Sequence, residues 1–267
     1  MLQLNDKTLP EDTNALLQEY QKEVDSKPDF TGRVAEAKRL FKNHNTQSNP
    51  AFKVVRRFLA NISGDTIRCN YCEDSNANQI EHIYPKHFYP ERCFEWLNYC
   101  YSCGPCNQPK HNKFSIYEAE SQQELNLKEL PEGTGPPPGE ALLINPRVED
   151  PMHLLFLDTK DTFKFTPNTD DDKEKRRAFY TIELLGLNSR NHLVRARKVA
   201  FDNYKSRLFE YVAKKDAGAE VKDLSPLIDS FCSEHHKTVW QEMIRQRSLH
   251  PEVDDLLKRA PEALNWN

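Results

Sequence analysis

Six of the chain's seven cysteines, Cys69, Cys72, Cys93, Cys100, Cys103 and Cys106, crowd into one short segment, and only Cys232 lies elsewhere. Two pairs, 69-CNYC-72 and 103-CGPC-106, have a spacing in which a tight turn lets backbone amides approach two thiolate sulfurs. Four such sulfurs make a closed tetrahedral zinc shell. The spacing 100-CYSC-103 offers an alternative second pair. Gly104-Pro105 suits a tight turn better than the interior of a strand or helix, which favours Cys103 with Cys106. Cys69, Cys72, Cys103 and Cys106 are the expected ligands of a structural Zn²⁺. Cys93, Cys100 and Cys232 are expected as small buried apolar side chains.

Composition supports a metal rather than disulfides. The chain has 267 residues, 37% hydrophobic and 29% charged, with a mean hydropathy of -0.81, which describes a polar and helix-rich protein. The opening MLQLNDKTLP has no apolar stretch, and no run reaches the roughly 18 apolar residues that a bilayer crossing takes. These features predict a cytoplasmic protein with no membrane partner, where cysteines serve metals or packing.

Between the knuckles, 80-IEHIYPKHF-88 reads as a strand that carries Glu81 and His82 and ends at Pro85, and 98-NYCYS-102 reads as a second strand. A helix is expected from Asn107 onward, with Asn107 suited to its N-cap and Pro109 in its first turn. Strand, loop, strand, knuckle and helix together describe a ββα finger clamped by zinc. An imidazole with a reference pKa near 6.5 stays largely neutral at cellular pH and can accept a proton, so His82 suits a general base. Neighbouring strand side chains point to opposite faces, so Glu81 and His82 share a site only if the strand ends or twists there.

This ordered set resembles the HNH nucleases, whose pattern is an acid-His pair, a middle Asn, and a final His or Asn after a zinc knuckle with a Lys shortly behind. Here the matching residues are Glu81-His82, Asn98, Asn107 and Lys110. The resemblance implies a mainly α protein with a zinc-bound ββα-metal (HNH) finger inserted between helical segments. It implies phosphodiester hydrolysis with His82 as base, Glu81 and Asn107 as ligands of a catalytic Mg²⁺ or Mn²⁺, and Asn98 bracing the loop that carries His82. Glu81 stands where many members carry Asp. Lys110 and Lys86 could each reach a phosphate, His87 and His111 are expected at or near the surface, and Trp96 is expected as a core anchor.

The stretches 80-IEHIYPK-86, 96-WLN-98 and 106-CNQPK-110 are also similar to the PtuB-like nuclease subunits of Septu-type anti-phage systems, found with some retrons as well. So are 143-LINPRVEDPMHLLF-156 and 182-IELLGLNSRNHLVRARKVAFDNY-204, so the likeness runs from about Cys69 to Tyr204. It implies an endonuclease that acts in antiviral defence with a PtuA-like ATPase subunit. Arg147, Asp150 and His153 belong to the downstream pattern and are expected to be structural. Duplex DNA is the first-choice substrate and structured RNA such as tRNA the second. The other function class is a non-catalytic zinc-finger adaptor that binds nucleic acid.

The remaining sequence divides around the finger. Residues 1–65 form an N-terminal helical segment, with helical periodicity over 10–24, 31–44 and 50–62. The finger occupies 66–118, and 119–142, with its run 131-PEGTGPPPGE-140, is expected as a mobile Pro/Gly-rich loop. Residues 143–267 should hold a small hairpin, 154–157 with 163–165, and helices over 172–186, 189–214, 225–247 and 251–259. The overall net charge is -4, yet residues 31–113 carry 12 Lys or Arg against 7 Asp or Glu. A basic working region in an acidic chain is what a nuclease docked on a protein partner could show.

Overall fold

The computed structural model describes residues 1–4, 7–62 and 67–266. The chain is mainly helical with three small antiparallel sheets. Three helices open it: α1 (Glu11–Asp25), α2 (Phe30–His44) and α3 (Pro50–Ile62). Caps set where they start. The Asp29 carboxylate accepts from Gly32 N at 2.7 Å, and Asn49 Oδ1 accepts from Phe52 N at 3.0 Å, each satisfying an amide that the first turn leaves without a partner. Apolar residues spaced three and four apart, such as Phe52, Val55 and Leu59 on α3, turn one stripe of each helix inward.

That stripe meets the cysteine-rich segment. Strand β1 (Gln79–His82) pairs antiparallel with β2 (Tyr99–Ser102), Glu81 opposite Cys100 and His82 opposite Tyr99. The strands alternate between two cores, as period-two geometry requires. Ile80, Tyr99, Cys93, Phe94 and Trp96 join the core of the N-terminal helices. Tyr71, Ile83, Phe88, Cys100 and Phe114 join the core of the C-terminal half. The segment is thus buried on both faces.

Helix α4 (Gly104–Lys110) follows β2. The helix expected from Asn107 starts three residues earlier, and its N-cap is Cys103 rather than Asn107. Pro105 lies in the first turn, where its missing N-H costs nothing, and Pro109 is inside the helix. The expected loop 119–142 is also different. It contributes β4 (Glu124–Asn126) and β5 (Gly139–Ala141) to either side of β3 (Ser115–Glu118). Gly139 makes this pairing possible, because a Cβ there would lie 2.4 Å from the Tyr117 carbonyl oxygen.

In the C-terminal half, α5 (Pro151–Leu154) leads into β6 (Leu155–Leu157), which pairs with β7 (Phe165–Pro167) as the expected hairpin. Helices α6 (Asp172–Leu184) and α7 (Asn191–Asp216) follow, with Gly186 in the left-handed region between them at φ +58°. The single helix expected over 225–247 is two helices, α8 (Val221–Cys232) and α9 (Lys237–Arg245), broken where His236 adopts φ +55°. Pro226 lies inside α8 rather than in a first turn. The break lets the rings of Phe231 and Trp240 meet edge to face at 4.6 Å. In one continuous helix their Cα atoms would be about 13.5 Å apart along the axis. Helix α10 (Pro251–Arg259) closes the bundle. No helix among the described residues is long and apolar enough to cross a membrane.

Candidate metal centre and the strand beside it

Cys69, Cys72, Cys103 and Cys106 are all buried, and their Sγ atoms lie within 4.8 Å of one another. Cys72 Sγ and Cys103 Sγ are 3.8 Å apart, and the edge of a ZnS₄ tetrahedron with Zn–S near 2.3 Å is roughly 3.8 Å. The alternative pair through Cys100 is not used, since Cys100 is not among the sulfurs that come together. Hydrogen bonding to Cys103 pulls the Cys72 thiol far down and pushes Cys106 up, so the four do not ionise together without a cation. The donor set fits zinc. Among the described residues this is the one group of His, Cys, Asp and Glu side chains close enough to hold a metal ion. Burial raises Cys93 and Cys100 to about 12, which keeps them as packed thiols. Cys232 is half-buried.

Contacts from distant sequence hold the knuckles. Arg190, preceding α7, donates from Nη2 to Cys106 Sγ at 3.2 Å and to the Leu185 carbonyl at 2.8 Å. Such a donor to a ligating sulfur tunes a metal site. Glu73, held at φ +60° just after Cys72, accepts from the backbone N of Thr238 at 3.1 Å. Neither partner carries a sequence signal, because each lies far along the chain from the knuckle it supports.

Next to the metal centre, β1 sends Glu81 and His82 to opposite faces. Glu81, 3% exposed, accepts from Tyr71 Oη at 2.6 Å and is ion-paired with Lys110. Lys110 is fully buried, and its Nζ also donates to the His82 carbonyl at 2.7 Å. A phosphate therefore has no access to Lys110, which corrects that expectation. The carboxylate expected to hold Mg²⁺ or Mn²⁺ is already matched by an ammonium and a phenol. Asn107 is turned elsewhere too, with Nδ2 donating to Gln79 Oε1 at 2.7 Å. As arranged here, Glu81 and Asn107 do not fit a directly bound catalytic cation.

His82 has different company. Its ring packs edge to face on Phe41 of α2 at 4.4 Å and on Tyr99 at 5.3 Å. Nε2 lies 2.9 Å from the Cys93 carbonyl oxygen, which fixes the proton on Nε2 and leaves Nδ1 as the acceptor. Among the described residues Nδ1 makes no hydrogen bond, and the residue keeps 5% exposure. Burial, helped by Lys86, pushes its pKa well below the usual 6.5, so the ring is neutral at pH 7.

Asn98 ties down the loop behind His82. Its Nδ2 donates to the carbonyls of Tyr84 at 3.0 Å and Arg92 at 2.8 Å. Its Oδ1 accepts from Tyr84 N at 2.7 Å, and its own carbonyl accepts from Ile83 N at 2.9 Å. Trp96 is buried, with Nε1 donating to the Lys7 carbonyl at 2.9 Å and Arg147 stacked 4.5 Å from its ring. Asp150 caps α5 through Met152 N at 3.0 Å, and His153 is exposed.

Two outcomes follow. Purified protein should contain about one zinc per chain, and Cys72→Ser should lose both the metal and much of its solubility; a folded, zinc-free preparation is the contrary result in elemental analysis. Lys110→Ala should cost about 3–5 kcal/mol in urea unfolding, because it strands a buried carboxylate. The double variant Glu81→Gln/Lys110→Met should recover most of that loss. A Lys110→Ala midpoint equal to the parent's would show that the pair is not sealed from water. The sequence matches no family model, and no curated protein is significantly similar to it.

Proposed function

We propose that the protein is an endonuclease of the HNH kind, with residues 66–118 as a ββα finger whose knuckles hold a structural Zn²⁺. The observation that carries this reading is the His82 imidazole: neutral, with Nε2 anchored on the Cys93 carbonyl and Nδ1 left to accept a proton. In phosphodiester hydrolysis, Nδ1 takes a proton from water as the water oxygen bonds to phosphorus and the bond to the departing ribose oxygen breaks. Asn98 positions the loop that carries the base, acting through His82 rather than on substrate. Lys86, half-buried beside His82 with its Nζ 4.7 Å from the Phe41 ring, offers positive charge for the phosphate.

The likeness to PtuB-like subunits and the modest charge of the chain support the rest of the reading. Residues 31–113 are basic while the whole carries -4. Phosphate neutralisation supplies most non-specific affinity for duplex DNA, so the reading includes an ATPase partner that delivers the nucleic acid in anti-phage defence. The engagement of Glu81 by Lys110 favours a second reading, a non-catalytic nucleic-acid-binding adaptor.

Cleavage assays decide between them. With an ATPase subunit co-expressed and Mg²⁺ or Mn²⁺ added, the protein should cut plasmid DNA or, as the alternative substrate, total tRNA. His82→Ala should retain fold, zinc and partner while losing about 10²–10⁴-fold in rate. Unchanged cleavage in that variant overturns the base assignment, and no cleavage by the parent on either substrate favours the adaptor.

A further inference from the structure

Helix α2 belongs to the N-terminal helical segment, yet one of its faces is turned to His82. Phe41 packs on the His82 ring. The Ala37 carbonyl receives the Cys93 thiol at 3.5 Å. Lys38, one residue on from Ala37 and one turn before Phe41, projects its Nζ to 3.0 Å from His87 Nδ1. An ammonium can only donate, so Nδ1 of His87 is the acceptor and its proton sits on Nε2 as a second outward donor. Lys86, adjacent in sequence, stands with its Nζ 4.7 Å from the centre of the same Phe41 ring that His82 contacts. His111, exposed at the C-cap of α4, is close enough to depress His87.

The cluster contains cations and donors with no acid to balance them. Among the described residues neither Lys38 nor Lys86 has a carboxylate within 4.0 Å, while the nearby acids are committed elsewhere: Glu81 to Lys110, and Glu36 to Arg39 and Lys27. Burial and neighbouring lysines push the Lys86 ammonium down from its ordinary value. An ammonium kept half-buried without a counter-ion is unfavourable unless an anion completes it.

We propose that Lys38, Lys86 and His87 form a seat for a backbone phosphate of a polynucleotide, placed against His82 and completed by α2 from outside the finger. This rests on the nuclease reading for the identity of the anion, and it makes Lys38 a substrate-binding residue. Two ammonium groups and the His87 Nε2 proton would engage the non-bridging oxygens, and the seat would hold the strand so that a phosphodiester lies beside Nδ1 of His82.

The test is fluorescence anisotropy of labelled duplex DNA and labelled tRNA against the full chain, alone and co-purified with its ATPase subunit, at a series of salt concentrations. One lost phosphate contact corresponds to roughly an eightfold loss of affinity at 0.1 M salt and a salt slope shallower by about one. Lys38→Ala should show both on the bound polynucleotide, and Lys38→Arg should stay within about twofold of the parent because it keeps the charge. Lys42→Ala, an equal loss of charge on an exposed position of the same helix, should change little. Because Lys38 is exposed, its variants keep the fold, so the outcome does not depend on whether Lys86→Ala is stable. Equal effects of Lys38→Ala and Lys42→Ala overturn the seat, as does failure of the parent, both alone and with the ATPase subunit, to bind either polynucleotide. If His82→Ala cleaves normally while Lys38→Ala loses binding, the base assignment falls and the seat stands.

Discussion

Four sulfurs held within 4.8 Å, beside the paired hydrogen bonds of Asn70 with Tyr101, clamp two parts of the chain and close residues 73–102 into a loop. Everything chemically interesting between them depends on that closure. Strand β1 is four residues long and has one strand partner, β2. A two-stranded ribbon of that size is not stable alone in water. The four clustered cysteines fix its base, and burial between two cores fixes its faces.

Burial on both sides determines what each side chain can do. On one face the carboxylate of Glu81 lies in a low-dielectric core, where it needs a partner, and Lys110 of α4 supplies one. Together with the bond from Lys110 to the His82 carbonyl, this pair joins the helix to the strand end. On the other face His82 has no charged partner in contact. It is surrounded by Phe41, Tyr99 and the Cys93 carbonyl, so its burial favours the neutral ring. Two adjacent residues that read as one catalytic pair in sequence thus have separate tasks in this structure. Glu81 supports the junction, and His82 sits between Phe41 and Tyr99 with Lys86 nearby.

How much of this was legible in the sequence depended on the range of the determining interaction. The knuckles were legible because ligand spacing is local, and α1 to α3 because their periodicity and caps are local. Helix α4 starts ahead of the expected Asn107 because Gly104-Pro105, which suits a tight turn, also suits the first turn of a helix, where Pro is favoured. The strands in 119–142 were hidden by short length and Pro/Gly composition; β5 exists because Gly139 allows close approach to Tyr117. The break between α8 and α9 follows from packing of Phe231 on Trp240, which no local signal encodes. Lys110 reads as a phosphate contact in sequence because nothing adjacent to it shows that Glu81, 29 positions earlier, pairs with it.

Lys38 is the sharper case, since its neighbours in sequence describe only a solvated helix face. Its meaning comes from α2 lying across the finger. The same contact determines the acid–base character of His82, because Phe41 supplies part of the apolar wall that keeps the imidazole neutral. A finger cut away from residues 1–62 would expose Ile80, Trp96 and Tyr99 and return His82 to water. Its proton affinity would then move toward the ordinary value, and the ring would lose the packing of Phe41 and Tyr99 that holds it. The N-terminal helices are therefore more than a scaffold: Phe41 covers the His82 imidazole, Lys38 reaches His87, and the surroundings of a four-residue strand depend on a helix that begins 49 positions before it.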